Sequence, residues 1–434
     1  MYKQFLDFEE LNNLYDTIPD WELYRKSIYY FYSNNNSNTN IKKRISFSLF
    51  FDLLSSLLWL IPFPIFSKVV YIGHPRYIQN HWYDENLENL KKTSNSFIYI
   101  NQSKQLNLKN VFHRRVPFLF FKLLSIIISR IKRPPVYFKN LNQIVSNETG
   151  KQINILDLES IRLYNKFVFL YFDLLFSISS LSKVFFVRSD NYTSLLKAAK
   201  KNNIQSFEFQ HGDIVKEELS INHPKIKKSK VSYADKLLVY SNIWTKDLSV
   251  FSDVIEIGKK RPKQFNSHSS NIILVLEIFN PDEQIKFCNQ LAKLLYITFS
   301  FEKNFIIKVH PSTSQVDFYK QLKGLFINYP LITVVYTQQL FENLLNKNSL
   351  VIGKYSTALF YSSDLGVNTF VVKSKIREFP LKLNTVKVFN SYKDLFTYLK
   401  DNFHNILNFN QNLDFKPTYF KNFNIKLLSR IILN

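Results

Sequence analysis

From residue 184 onward, short runs of β-branched and aromatic residues alternate with helical patterns, and nothing else in the sequence constrains the fold as tightly. Val184-Phe185-Phe186-Val187 and residues 206–210, 236–240, 254–257, 272–276, 305–309, 332–335, 350–352 and 369–372 read as strands. Helical patterns at 192–201, 281–298 and 356–364 separate several of them. A strand that returns through a helix runs parallel to its predecessor, so the chain is predicted to be α/β with parallel sheets. Upstream, 67–72 and 97–101 read as strands. Residues 116–131, stopped by Pro134-Pro135, and 155–180 read as helices. Residues 1–43 read as helical and then polar, with the Asn/Ser run 33–40 as a loop.

At 434 residues the chain exceeds one ordinary core and suits two domains. The expected division is an N-terminal Rossmann-like domain over 1–245, with 1–66 as a helical, membrane-associated portion, and a C-terminal one over 246–434. The polar, proline-bearing stretch 259–270 looks like the linker end. A single cysteine, Cys288, rules out an intramolecular disulfide and a Cys-based zinc site, which fits a reducing cytoplasm.

The net charge is +23. Nucleic acid, an anionic membrane face and a compositional bias toward lysine compete to explain it. No compact Arg/Lys stripe, zinc-finger spacing or aromatic–basic RNA-binding signature is present, so no nucleic-acid partner is expected. A cationic protein held peripherally at the inner face of the plasma membrane is the expectation. No signal peptide is visible at the start of the sequence. The one candidate span, 46–66, carries Asp52, Pro62 and Pro64, and its uninterrupted apolar core falls short of the ~20 residues a span needs. It reads as a buried or interfacial helix.

Glycine is scarce: 7 residues where ~7% usage would give roughly 30. Each survivor is therefore expected to meet a backbone need, a positive φ or a close approach. Gly73, Gly258 and Gly353 directly follow apolar strands, and Gly212 follows one a residue later. In open parallel sheets ligands bind at those carboxyl ends. No Gly-x-Gly-x-x-Gly and no P-loop occurs.

Three clusters could carry chemistry. Glu208-Phe209-Gln210-His211-Gly212-Asp213 brings an imidazole and a carboxylate to one loop, where His211 or Asp213 could act as a base. An ordinary hydrogen-bonded loop is the alternative. In Lys308-Val309-His310-Pro311, alternation puts Lys308 and His310 on one face, and Pro311 ends the strand; two cations there suit a phosphate. In Gly353-Lys354-Tyr355-Ser356-Thr357, a strand, a glycine and a hydroxyl pair precede a helix, which makes either an anion cradle or a plain N-cap.

In this order the clusters resemble bacterial surface-polysaccharide glycosyltransferases of the GT-B fold: two Rossmann-like domains with a cleft between them. The resemblance runs from about 184 to 372 and takes in Ala198-Ala199-Lys200, Glu208 to Gly212, Ala234-Asp235-Lys236, Trp244, Ile255-Glu256-Ile257-Gly258, Lys308 to Pro311 and Tyr355-Ser356-Thr357-Ala358. The His-Pro and Ser-Thr elements are also similar to those of sialyltransferases, Kdo transferases and CDP-glycerol phosphotransferases, which implies a CMP- or CDP-linked donor without excluding UDP. Side chains and helix N-termini can neutralise a departing phosphate and no Asp-x-Asp motif occurs, so a metal-independent transfer is expected, with no cofactor beyond the nucleotide-sugar co-substrate. The acceptor would be a lipid-linked glycan or polysaccharide in capsule or O-antigen synthesis. The resemblance also implies donor-side roles for Lys308, His310, Pro311, Gly258, Gly353, Tyr355, Ser356 and Thr357, and catalytic roles for His211 and Asp213. A CDP-polyol phosphotransferase of teichoic-acid type and a non-catalytic basic membrane- or nucleic-acid-binding protein remain the rivals. Where capsule relatives often carry Lys-Pro-His-Pro, this chain has Lys308-Val309-His310-Pro311.

Overall fold

The computed structural model describes residues 2–33, 65–73, 76–78, 81–93, 97–101, 112–115, 117–187, 192–212, 214, 233–245, 253–259, 271–276, 281–298, 304–310, 316–336, 341–354, 356–373, 386–407 and 421–433. The strands in chain order are β1 (Val69–Ile72), β2 (Arg76–Ile78), β3 (His81–Tyr83), β4 (Phe97–Asn101), β5 (Phe112–Arg115), β6 (Lys183–Val187), β7 (Gln205–Phe209), β8 (Lys236–Val239), β9 (Asp253–Glu256), β10 (Asn271–Val275), β11 (Asn304–Lys308), β12 (Ile332–Val335), β13 (Leu350–Gly353), β14 (Asn368–Val372) and β15 (Val386–Phe389). β2 and β3 form a separate antiparallel pair.

The rest make two sheets, β5-β4-β1-β6-β7-β8-β9 and β12-β11-β10-β13-β14-β15, and every pairing in them is parallel. Within each sheet the first strand along the chain lies at the centre, the second and third extend to one side, and the later strands extend to the other. That is the Rossmann order, twice over, so the fold is α/β with two Rossmann-like domains, the GT-B arrangement. Each sheet has a switch point where the winding reverses: β1/β6 in the first and β10/β13 in the second.

β1 and the greater part of β6, β10 and β13 are apolar because both faces are covered. In β10, Ile272 and Leu274 enter one core while Ile273 and Val275 enter another. The first core holds the helices Pro281–Thr298, Val316–Leu325 and Tyr392–Leu407 against one face of the second sheet. On the first sheet, the helices Phe118–Ile131, Ile155–Ser177 and Thr193–Lys201 cover one face. The helices Glu85–Lys91 and Ile425–Leu433 cover the other.

Two expectations about the domains change. β9 lies beyond the expected 245/246 division, yet it pairs with β8 as an edge strand of the first sheet. The C-terminal helix Ile425–Leu433 also returns to the first domain: Leu428 and Ile432 are buried there, and Lys183 Nζ donates to the Ile432 carbonyl at 3.0 Å. Sheet pairing and burial thus assign 253–256 and 425–433 to the first domain, and the crossover lies between β9 and β10.

The N-terminal helices Tyr2–Leu11, Leu14–Thr17 and Glu22–Ser33 pack with the helix Val136–Thr149 and the start of Ile155–Ser177 around a core of their own. A buried ion pair organises it: Arg25 donates to both carboxylate oxygens of Glu9 at 2.6 and 2.8 Å, and Trp21 Nε1 donates to Glu9 at 2.7 Å. Most of the candidate membrane segment, 46–64, lies outside the described residues. Among the described residues, no helix is long and apolar enough to cross a membrane.

Candidate functional site where the two sheets meet

The loop leaving β7 is held by one side chain. Gln210 is buried; its Nε2 donates to the Gly212 carbonyl at 2.8 Å, and its Oε1 accepts from the Tyr240 amide at 2.8 Å. The Tyr240 hydroxyl donates back to the Gln210 carbonyl at 2.8 Å. A buried amide with donor and acceptor both satisfied fixes the backbone around it, because leaving either unmet costs about 1–3 kcal/mol. The loop therefore turns at Gly212, where φ is +87°, and presents half-buried His211. Two residues on, Ile214 is buried in the core of the second domain. Asp213 lies outside the described residues.

On the other side stands the helix Thr357–Asp364, which follows β13 at the switch point of the second sheet. Ser356 caps it: its Oγ accepts from the Ala358 amide at 3.2 Å. The plain N-cap reading of Ser356 is thus realised, and the helix N-terminus it shapes still carries the positive end of the helix dipole. A Cβ built on Gly212 would lie 3.4 Å from Thr357 Oγ1, so the strand-end loop of one sheet lies beside the helix start of the other.

That approach is backed by a continuous apolar core. Leu237, Val239 and Trp244 of the first domain pack with Ile273, Val275, Val351, Leu359 and Phe360 of the second. The Trp244 and Phe360 rings lie 4.9 Å apart. The Lys259 ammonium stands 5.6 Å from the Tyr240 ring and 4.9 Å from the Tyr361 ring, one from each domain. Gly353 makes the close packing of this helix on its strand possible: an added Cβ would lie 3.0 Å from Leu359 Cδ2 and 3.1 Å from the Val275 carbonyl oxygen.

Besides Gly353, two more of the residues expected on the donor side have close partners within the chain itself. Gly258 has φ +75°, and a Cβ there would lie 2.2 Å from the Asn422 carbonyl oxygen. Its close approach is to the chain's own returning C-terminal segment, which accounts for the glycine without a ligand. Lys308 reaches sideways across the sheet and donates to the Tyr336 carbonyl, just past β12 and away from the β10/β13 switch point. His310, two residues after Lys308, is half-buried at the end of β11. Pro311 and Tyr355 lie outside the described residues. Lys354 pairs with Glu283 at 3.1 Å and stands 5.5 Å from the Tyr392 ring.

The structure therefore brings His211, Gly212, Ser356 and Thr357 together. Sequence reasoning missed Gln210 and Tyr240, which hold the loop. The available signal was Gln210 itself, a polar residue continuing the inward-facing series Ser206 and Glu208, all three of them buried. A surface hollow of about 460 Å³ lined by Asp282, Lys286, Asn289, Lys293 and Gln321 lies on the helices covering the opposite face of the second sheet, apart from this meeting point.

Burial pushes the Lys308 ammonium down to about 8, with Glu342 opposing. Unfolded, the same lysine titrates near 10.5. Below pH 8 both states hold the proton and the folded state bears the full burial cost. Between pH 8 and 10.5 the unfolded state binds more protons, so stability should rise with pH there. Relative to Lys308→Met, the wild type should gain up to ~1.4 kcal/mol per pH unit across that window in urea melts. Parallel pH profiles for the two proteins would show that the ammonium is not buried as described.

No family model matches the chain, and neither does any curated protein. Solved structures resemble its backbone. The Methanocaldococcus jannaschii UDP-GlcNAc 2-epimerase, solved with UDP-GlcNAc and UDP, is 12% identical with a TM-score of 0.49, over 84% of this chain and 98% of its own. The α,α-trehalose 6-phosphate synthase of Burkholderia multivorans is 8% identical with a TM-score of 0.45, over 80% and 90%. HepE of Anabaena, solved with UDP and glucose, is 9% identical with a TM-score of 0.44, over 84% and 98%. The assignment of two Rossmann-like domains rests on the chain's own strand order.

Proposed function

We propose that this chain is a glycosyltransferase of the GT-B type, moving a sugar from a nucleotide-sugar to an acceptor hydroxyl. The observation that carries the reading is the close approach of Gly212 to Thr357, which sets the strand-end loop of one Rossmann-like sheet beside the helix at the switch point of the other. A helix N-terminus at such a point attracts a phosphate through its amides and dipole. The donor's phosphates then lie against Ser356 and Thr357, with His310 alongside, and the acceptor approaches from the first domain. His211 takes the proton from the acceptor hydroxyl, the oxygen bonds to the anomeric carbon, and the bond from that carbon to the phosphate oxygen breaks. The nucleotide leaves with its charge met by the helix terminus and a protonated His310. Asp213 is the rival base. The reading needs no metal and no further cofactor. An acceptor on a lipid-linked or polymeric bacterial surface glycan (capsule or O-antigen) and a place at the cytoplasmic face of the membrane rest on the sequence resemblance.

Titration calorimetry with CMP, CDP and UDP tests the donor site. At least one nucleotide should bind, and His310→Ala should weaken it by about 1.5–3 kcal/mol, the range for a hydrogen bond to a charged group. Lys308→Met should change it much less, because Tyr336 already holds that ammonium. Failure of all three nucleotides to bind, or indifference to His310→Ala, would overturn the placement. Incubating the protein with mass-labelled UDP-GlcNAc and no acceptor separates transfer from epimerisation. Equilibration at C2, the reaction named for the Methanocaldococcus protein, would replace transfer as the assigned chemistry.

A further inference from the structure

The helix Phe118–Ile131 is apolar on its outer side as well as its inner one. The line it turns inward is Phe118, Phe121, Ser125 and Ser129, all buried. Against the neighbouring helix Ile155–Ser177, the Phe121 ring lies 5.6 Å from that of Tyr171 and the Phe118 ring 6.2 Å from that of Phe172, while further along Ser125 Oγ lies 3.1 Å from Ser160 Oγ. The outward side carries large apolar residues too: Ile127 is 56% exposed and Ile131 78%, and Leu123, Leu124 and Ile128 are only half-buried. A helix of a water-facing surface puts its apolar stripe inside and its polar one outside. A contiguous apolar patch left on the outside of such a helix marks a surface that meets another apolar phase.

The neighbouring helix continues the surface. Leu170 and Leu174, at i and i+4, are 51% and 52% exposed, and Ile178 follows at 42%. Both helices lie in the layer on one face of the first sheet, sharing a core with Val70, Ile72, Val184 and Phe186, so their exposed sides point away from it. The rim is cationic. Lys122, Arg130, Lys132, Arg133 and Lys166 are all exposed, and residues 116–135 contain no acid. At 14 residues the helix spans about 21 Å, too short for the ~30 Å hydrocarbon core. It is long enough to lie in the headgroup region with its apolar side down.

We infer that the outer side of the helices Phe118–Ile131 and Ile155–Ser177 is a docking surface for an anionic lipid bilayer. Lipid is favoured over a second copy of this chain because residues 116–135 bring Lys122, Arg130, Lys132 and Arg133 to this surface and no acid, so two copies meeting through this helix would face each other charge to charge. The surface reaches the functional side of the sheet. The Phe118 ring lies 6.4 Å from the ring of Tyr192, which begins the helix after β6 at the β1/β6 switch point. The inference stands without the reaction proposed above, and nucleotide affinity, measured alongside, separates the two.

The full chain is co-sedimented with phosphatidylcholine vesicles and with vesicles containing phosphatidylglycerol. The protein should bind the anionic vesicles and release as salt rises, since exposed charges are screened over ~8 Å at physiological ionic strength. Ile127→Ser/Ile131→Ser should weaken that binding at least tenfold, and Lys132→Glu/Arg133→Glu should weaken it by more than about 25-fold, at about fivefold per cation lost. Both variants, substituted at exposed positions, should keep the wild-type melting temperature and nucleotide affinity. Three results overturn the inference: no binding to anionic vesicles; undiminished binding by both variants while Leu57→Ser/Leu58→Ser in the 46–64 segment abolishes it; or a wild-type dimer in sedimentation velocity that Ile127→Ser/Ile131→Ser converts to monomer.

Discussion

Replacing His211 with alanine should lower turnover by on the order of 10²–10⁴ while donor affinity stays near that of the wild type, the signature of a lost proton acceptor. The expectation follows from how the imidazole is delivered. Gln210 and Tyr240 lock the loop through three side-chain hydrogen bonds of 2.8 Å, and Gly212 turns it beside Thr357. The imidazole therefore arrives at the meeting of the two domains on a rigid support. A general base gains its effect from such placement, since it must sit within hydrogen-bond reach of the proton it removes. Asp213→Asn, assayed beside it with the same donor, decides between the two groups: the larger loss marks the base. Near-full turnover in both variants would make the Gln-His-Gly loop a structural turn. Gln210→Leu should slow turnover without shifting the pH profile of the reaction, as a positioning residue does, whereas loss of the base removes one limb of that profile.

The strands from residue 184 onward were legible because both faces of each central strand are buried, which forces unbroken apolar runs such as Ile272 to Leu276 and Leu350 to Ile352. Elements outside the sheet centres lacked that signal. β15 is half-exposed, with only Phe389 buried, so its four residues do not stand out. The helix Val136–Thr149 buries fully only Phe138, Leu141 and Val145, and its remaining apolar residues Val136, Tyr137 and Ile144 are scattered among polar ones, so no clean apolar stripe marks it after the proline pair that precedes it. The helix Ile425–Leu433 is apolar enough to read, but its destination is not: local pattern says that it is buried, not that it crosses to the first domain.

The candidate site divides in the same way. A glycine past a strand and a serine before a helix are local features, so Gly212 and the Ser356 cap could be seen in the sequence. Alternation placed Lys308 on a face but could not show its ammonium reaching sideways to the Tyr336 carbonyl, because a four-carbon stem has that freedom. Gly353 was read as a neighbour of ligand, and the structure finds Leu359 and the Val275 carbonyl against it. Scarcity of glycine correctly signalled backbone need at these positions. Whether the close neighbour is a ligand or the chain itself depends on contacts between distant residues, which no local window contains.

Gly258→Ala should destabilise the protein by about 2–5 kcal/mol, from overpacking together with a left-handed φ. The methyl would enter space 2.2 Å from the Asn422 carbonyl oxygen and 2.7 Å from that of Lys421, which are backbone atoms and cannot rotate aside. The segment they belong to is tied in place by three backbone bonds: Lys259 to Lys421 at 2.8 Å, Lys421 to Tyr240 at 3.0 Å and Asn424 to Ile257 at 2.7 Å. Moving it would strip those bonds and lift the helix Ile425–Leu433 from the first sheet, exposing Leu428 and Ile432. Gly150 supplies the control. Its φ is +69°, close to that of Gly258, but an added Cβ would meet nothing within 4 Å. Gly150→Ala therefore carries the conformational cost alone, about 1–2 kcal/mol. The difference between the two variants in urea melts isolates the clash, and limited proteolysis should release the C-terminal helix from Gly258→Ala first. Equal losses in the two variants would mean that the returning segment is not packed against Gly258.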